Sequence, residues 1–106
     1  MTDTNYISGI VKILETPKQK FIKNNVLVTK FRVQFPQMRN NKIIHLVFWG
    51  NLARDVAKFY KVNDYIIIEG YLSILKEQNS KTNKIKITVL KLYPFTMSKE
   101  TYNNKN

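Results

Sequence analysis

One amphipathic helix is set into a chain whose other segments alternate, and that single interruption limits the possible folds more than any other feature. Residues 43–49, Ile-Ile-His-Leu-Val-Phe-Trp, have the apolar, β-branched and aromatic character of a buried or half-buried strand. Gly50 breaks the run. Asn51 follows, a residue type whose side-chain oxygen can accept an unpaired N–H of a first helical turn, and it is the expected N-cap. Leu52, Val56 and Phe59 then recur at i, i+4 and i+7, with Ala53, Ala57 and Tyr60 one step round. This is one broad apolar helix face. Lys58 and Lys61 lie where positive charge suits the helix C-terminus. Asn63-Asp64 turns the chain into a second strand-like run that includes Ile66-Ile67-Ile68-Glu69-Gly70-Tyr71-Leu72.

The rest of the chain supplies strands. Residues 6–14 alternate around Gly9, where a bulge or bend is expected. Pro17 fixes a turn, residues 20–23 extend the first strand after a kink, and Asn24-Asn25 makes a hairpin-type turn. In residues 26–35, Phe31, Val33 and Phe35 face one way, while Lys30, Arg32 and Gln34 face the other. Residues 42–49 separate Ile44, Leu46 and Phe48 from Ile43, His45, Val47 and Trp49. Residues 64–76 form the fourth strand, and residues 84–92 set Ile85, Ile87 and Val89 against Lys84, Lys86 and Thr88. The expected division is an arm over residues 1–5, one domain over residues 6–93 and a flexible tail over residues 94–106. Three strands, a helix and two strands is the order of the OB-fold, an all-β five-stranded Greek-key barrel with its helix between strands 3 and 4. An SH3-like barrel also has five short strands but lacks a reason for the helix.

Charge narrows the function. Lys and Arg number 18 against 7 Asp and Glu, a formal charge of +11, which favours a polyanionic partner such as nucleic acid or an anionic membrane surface. Lys, Asn and Ile make up 39 of the 106 residues, the signature of A/T-rich codons. Codon bias explains lysine over arginine but not the excess of bases over acids. There is no cysteine, so disulfides and thiolate-ligated zinc are excluded. No apolar run approaches the roughly 18 residues of a membrane-spanning helix. Residues 1–5 do not resemble a signal or transit peptide, so the chain is expected to act where it is made. The seven carboxylates are scattered, His45 has no evident partner, and no metal-ligand spacing or phosphate loop is present. Neither catalysis nor a cofactor is expected.

The segment Phe48-Trp49-Gly50-Asn51-Leu52-Ala53, the helix, and Ile66-Ile67-Ile68-Glu69-Gly70-Tyr71-Leu72 resemble the bacterial single-stranded DNA-binding protein family, whose members carry a Phe-Gly-Lys-Leu-Ala-like element followed by a Val-Glu-Gly-x-Leu-like one at this separation. Thr16-Pro17 resembles the family's Asp-Pro turn, Phe21 falls where an aromatic is usual, and Phe31 and Val33 match paired core positions. The likeness covers about residues 5–92 and includes short primosomal, plastid and cyanobacterial members. With the codon signature it points to a plastid protein of stroma or nucleoid, the alternative being a bacterial cytoplasm. It implies sequence-independent binding of single-stranded DNA, or of RNA, in replication or genome maintenance, with no small-molecule substrate. It also implies a homo-oligomer, tetramer or dimer, for which Ile7, Ile10, Val11 and Ile13 of the first strand would form an apolar seam.

Single strands are held by basic grooves and by aromatic rings on which bases stack. Trp49 aligns with a stacking aromatic of the family. Lys30, Arg32, His45 and Lys86 are the leading phosphate contacts, supplemented by Lys20, Lys23, Arg39, Lys42, Lys81 and Lys84, and Tyr71 faces the same surface. The family's other stacking tryptophans fall at Arg39, Ile43 and Glu77, so the aromatic platform is thin and binding should depend strongly on salt. The competing function is a protein-interaction module on the same barrel, docking to a replication complex or an anionic membrane.

Overall fold

In the computed structural model the described residues are 5–36, 43–76 and 83–95. They form β1 (Tyr6–Ile13), β2 (Gln19–Ile22), a short 3-10 turn (Lys23–Asn25), β3 (Val26–Gln34), β4 (Ile44–Trp49), α1 (Gly50–Phe59), β5 (Tyr65–Lys76) and β6 (Asn83–Pro94). Six strands therefore replace the expected five, and the helix falls between the fourth and fifth. The extra strand is β2, which is not a continuation of β1. The hairpin at Asn24 and Asn25, with φ of 64° and 60°, folds it back onto β3 in register Gln19↔Thr29 to Ile22↔Val26. Asparagine tolerates this left-handed backbone better than most residues.

The strands pair in the order β1-β5-β6-β4-β3-β2, and β1 pairs again with β3. Five strands thus form a closed ring, and β2 extends it from the outer edge of β3. The closing contact is short, only Lys12↔Gln34 and Ile13↔Val33. By contrast β1 lies along β5 from Tyr6↔Tyr71 to Lys12↔Tyr65. Gly9 makes no bulge, since it pairs with Ile68 without a register shift. A side chain there would meet the Phe35 ring at 2.9 Å. The expected apolar seam on β1 is also corrected. Val11 and Ile13 are 0% exposed and belong to the core, because every second β1 side chain points into the ring.

Inside the ring lie Phe31, Val33, Ile44, Leu46, Phe48, Ile66, Ile68 and Ile87, all at most 2% exposed. Phe31 and Phe48 stack at 5.3 Å. Each such side chain contributes about 1.5–3 kcal/mol on leaving water. The helix covers one end with Ala53 and Val56, while Leu52 and Tyr60 pack at the margin. The buried Thr29 hydroxyl donates to the Ala53 carbonyl at 2.8 Å, tying α1 to β3. Phe59 is not part of the buried face. It is 64% exposed, with the Lys58 ammonium 5.2 Å from its ring centre. Asn51 is not the N-cap either, since the helix begins at Gly50 and no side chain caps it. The sharp entry comes from Gly50 at φ +63°, a conformation that favours glycine.

Gly70 is needed for a different reason. A Cβ there would lie 2.1 Å from the Thr88 carbonyl oxygen, at the irregularity where the β5–β6 register shifts between Glu69 and Gly70. The shift changes which side chains of β6 face inward. Ile87 and Val89 point in, Leu90 is exposed, and Leu92 returns to the core margin.

Candidate nucleic-acid interface

Strand alternation and register bring the expected residues together on the outside of β3, β4 and β6. One row across the strands is Arg32, His45, Lys86 and Ser73, and the next is Lys30, Val47, Thr88, Tyr71 and Tyr6. A third is Lys20, Val28 and Trp49. Trp49 is 42% exposed, whereas its strand neighbour Phe48 is fully buried. Val28 and Val47 also point outward yet are only 2% exposed, so their neighbours' side chains cover them. The outer surface therefore has an apolar floor beneath its charged groups. Lys30, Lys20, Lys23 and Lys84 are exposed, Lys23 on the β2–β3 turn and Lys84 near the start of β6. Arg39, Lys42 and Lys81 lie outside the described residues.

Two members of the set differ from free phosphate-binding cations. Arg32 is already paired: its Nη2 lies 3.2 Å from Glu15 Oε1. Its backbone N–H donates to the other Glu15 oxygen at 2.8 Å, and its carbonyl accepts from Leu14 N–H at 3.0 Å. The reason is topological. β3 is paired by β2 up to Thr29 and by β1 from Val33, and Glu15 meets Arg32 in the gap. Arg32 in turn holds the Glu15 carboxyl below its usual value, chiefly through the side-chain hydrogen bond. His45 is half-buried, and burial first, then the charges of Lys84 and Arg32, pushes its pKa below 6.5 despite the opposing pull of Glu15. The surroundings thus favour the neutral ring.

Farther round the ring the outer surface changes character. Tyr71 meets Tyr6 edge-on at 5.4 Å, and the Tyr6 hydroxyl donates to Glu69 Oε1 at 2.7 Å. That hydrogen bond first, then desolvation and nearby charge, raises the Tyr6 pKa to about 12. Glu15 and Tyr6 were not singled out from the sequence. Their only signals there are a carboxylate beside the β1 turn and an aromatic at the strand start. A separate cleft of about 210 Å³ at the C-terminal end of α1 is lined by Phe59, Tyr60, Asp64, Tyr65, Pro94 and Phe95. Among the described residues no group of three or more His, Cys, Asp or Glu is placed to hold a metal. No helix among them is long and apolar enough to cross a membrane.

The chain is 37% identical over 102 residues to the "Putative single-stranded DNA-binding protein ycf41" of Trieres chinensis, an alignment spanning 88% of this chain and 90% of the relative. It belongs to the ycf41 family. The protein of the same name from Porphyra purpurea is 31% identical over 83 residues, covering 78% of this chain and 70% of that one. No family model matches. Among solved structures, the SSB domain of a Synechococcus sp. protein superposes with a TM-score of 0.71 at 22% identity, covering 88% of this chain and 98% of that one. The second single-stranded DNA-binding protein of Mycobacterium smegmatis gives 0.69 at 22%, with 87% and 89% covered. These two establish the fold as that of single-stranded DNA-binding OB domains.

Proposed function

We propose that this protein binds single-stranded DNA without sequence preference on the outer face of β3, β4 and β6. The observation that carries this reading is the placement of a half-exposed Trp49 on the same outer surface as Lys20, Lys30 and Lys86. An indole on a basic sheet offers a stacking surface beside phosphate neutralisation, the combination that single strands require. The names of both ycf41 relatives support it. The ring of residues 6–93 acts as an OB barrel in this proposal, without catalysis, in replication or genome maintenance. Lys23 and Lys84 extend the track, Arg39, Lys42 and Lys81 are proposed as further phosphate contacts, and RNA of the same length competes for it. The A/T-rich codon signature, together with the likeness to the ycf41 proteins of Trieres chinensis and Porphyra purpurea, supports a plastid stroma or nucleoid location. A dimer or tetramer would lengthen the track.

Trp49 is the only tryptophan, so its fluorescence reports directly. Titration with oligo-dT should quench it saturably, and affinity should fall with salt at a log–log slope of about −0.7 per phosphate neutralised. Binding detected by anisotropy without quenching would remove Trp49 from the site. Absence of binding at low salt would favour the protein-interaction alternative.

A further inference from the structure

Resting on that binding function, we infer that His45 and Arg32, the latter held in place by Glu15, form a second base-stacking station and are not phosphate contacts. Arg32 and His45 are directly opposed across β3 and β4, within about 5.5 Å between Cα atoms, and both point outward. Each presents a planar group. Guanidinium donors lie in the plane of the group, so a carboxylate bonded to Nη2 occupies an edge and leaves the faces free. The pair leaves 47% of the Arg32 side chain exposed. A phosphate approaching Arg32 must displace Glu15, which is anchored to the backbone as well, or sit beside a like charge. A base meets neither obstacle, because stacking on guanidinium and imidazole planes needs no net charge.

The position also fits. His45 and Trp49 lie on the same side of β4, four residues or about 13 Å apart along the strand. One base cannot touch both rings, so the two stations serve different nucleotides. Lys86, across from His45 on β6, remains the phosphate-binding group of that row. The arrangement supplies a platform where the aromatic set is otherwise sparse.

The test compares Arg32→Ala, Arg32→Lys, His45→Ala and His45→Phe with the native chain at about pH 8, where histidine is neutral. Binding is measured by anisotropy to labelled oligo-dT and to an abasic strand of equal length, across a salt series. Circular dichroism confirms that each variant folds. A stacking station predicts about tenfold weaker oligo-dT binding for each alanine variant. The salt slope should be unchanged, His45→Phe should bind like the native chain, and Arg32→Lys should fail to restore. On the abasic strand the variants should match the native chain. A slope reduced by about 0.7 in Arg32→Ala, regained in Arg32→Lys, would make Arg32 a phosphate contact and overturn the inference while leaving single-strand binding intact. Alanine variants that bind like the native chain would overturn it as well. A native chain that binds neither strand would remove the binding function itself.

Discussion

The outer surface has two halves built by the same alternation but finished differently. Over β3, β4 and β6 it carries Lys30, Lys86 and Trp49, groups whose charge or ring face remains available. Over β1 and β5 it carries Tyr6 and Tyr71, about as exposed at 46% and 47% as Trp49 at 42%. There Tyr6 meets Tyr71 edge-on and donates to Glu69. Exposure alone does not distinguish the two. In the proposed reading, what separates a binding surface from a structural one is whether the faces of its rings and planar groups, and the charges of its lysines, are left open. By that criterion Tyr71 belongs to the second half, although it shares a row with Lys30.

The largest expected effect concerns the strand pair that joins the halves. Gly70→Ala should destabilise the fold by about 3 kcal/mol, the upper end of overpacking, because the clash is with backbone. It would be read as a lowered midpoint of thermal unfolding. A midpoint within a degree or two of the native value would mean that β5 and β6 can separate at the bulge. Next comes the direct contrast. Trp49→Ala should weaken oligo-dT binding by about ten- to 100-fold, and Tyr71→Ala by no more than about twofold. Equal losses would merge the two halves into one interface.

Smaller effects sharpen the tyrosine half. Tyr6 should titrate spectrophotometrically near 12, while Glu69→Ala should return it toward about 10 without altering DNA binding. The protonated phenol is the form the fold favours. Its contribution to stability is thus complete below about pH 10 and lost as pH rises toward 12. The smallest effect lies on the acid side of the basic half. His45 and Glu15 both have lowered values, so the unfolded chain binds more protons than the folded one. Stability should decline as pH falls below 6.5 and again below 4.5. His45→Phe should remove the first decline and Glu15→Gln the second, as read from unfolding midpoints across pH.

Much of this architecture was legible in the sequence, for reasons visible at particular residues. Phe31 and Val33 against Lys30 and Arg32, or Ile85 and Ile87 against Lys84 and Lys86, show the period of two that a half-buried strand imposes. The strand β2 was obscured because all four of its residues are exposed. Its place is set by edge hydrogen bonds, and burial leaves no mark on its sequence. Phe59 fits the helical period, but the end of α1 lies beyond the core, where Tyr60 packs instead. The Arg32–Glu15 pair joins residues 17 apart through a topology that local patterns do not encode. Knowing that Arg32 points outward was possible from sequence; knowing that its charge was already matched was not.

The ring is closed unevenly: two register pairs join β1 to β3, whereas seven join β1 to β5. The β1–β3 seam is therefore the join with the fewest backbone bonds to break when the ring opens locally. In native-state hydrogen exchange, Leu14 N–H, bonded to the Arg32 carbonyl, and the Arg32 N–H, bonded to Glu15, should exchange through opening of this seam. The paired amides of β5 and β6 should wait for global unfolding. A bound strand lying across Arg32 and His45 would slow exchange at the seam first, so the place where the ring opens is also where a ligand would be felt earliest in time.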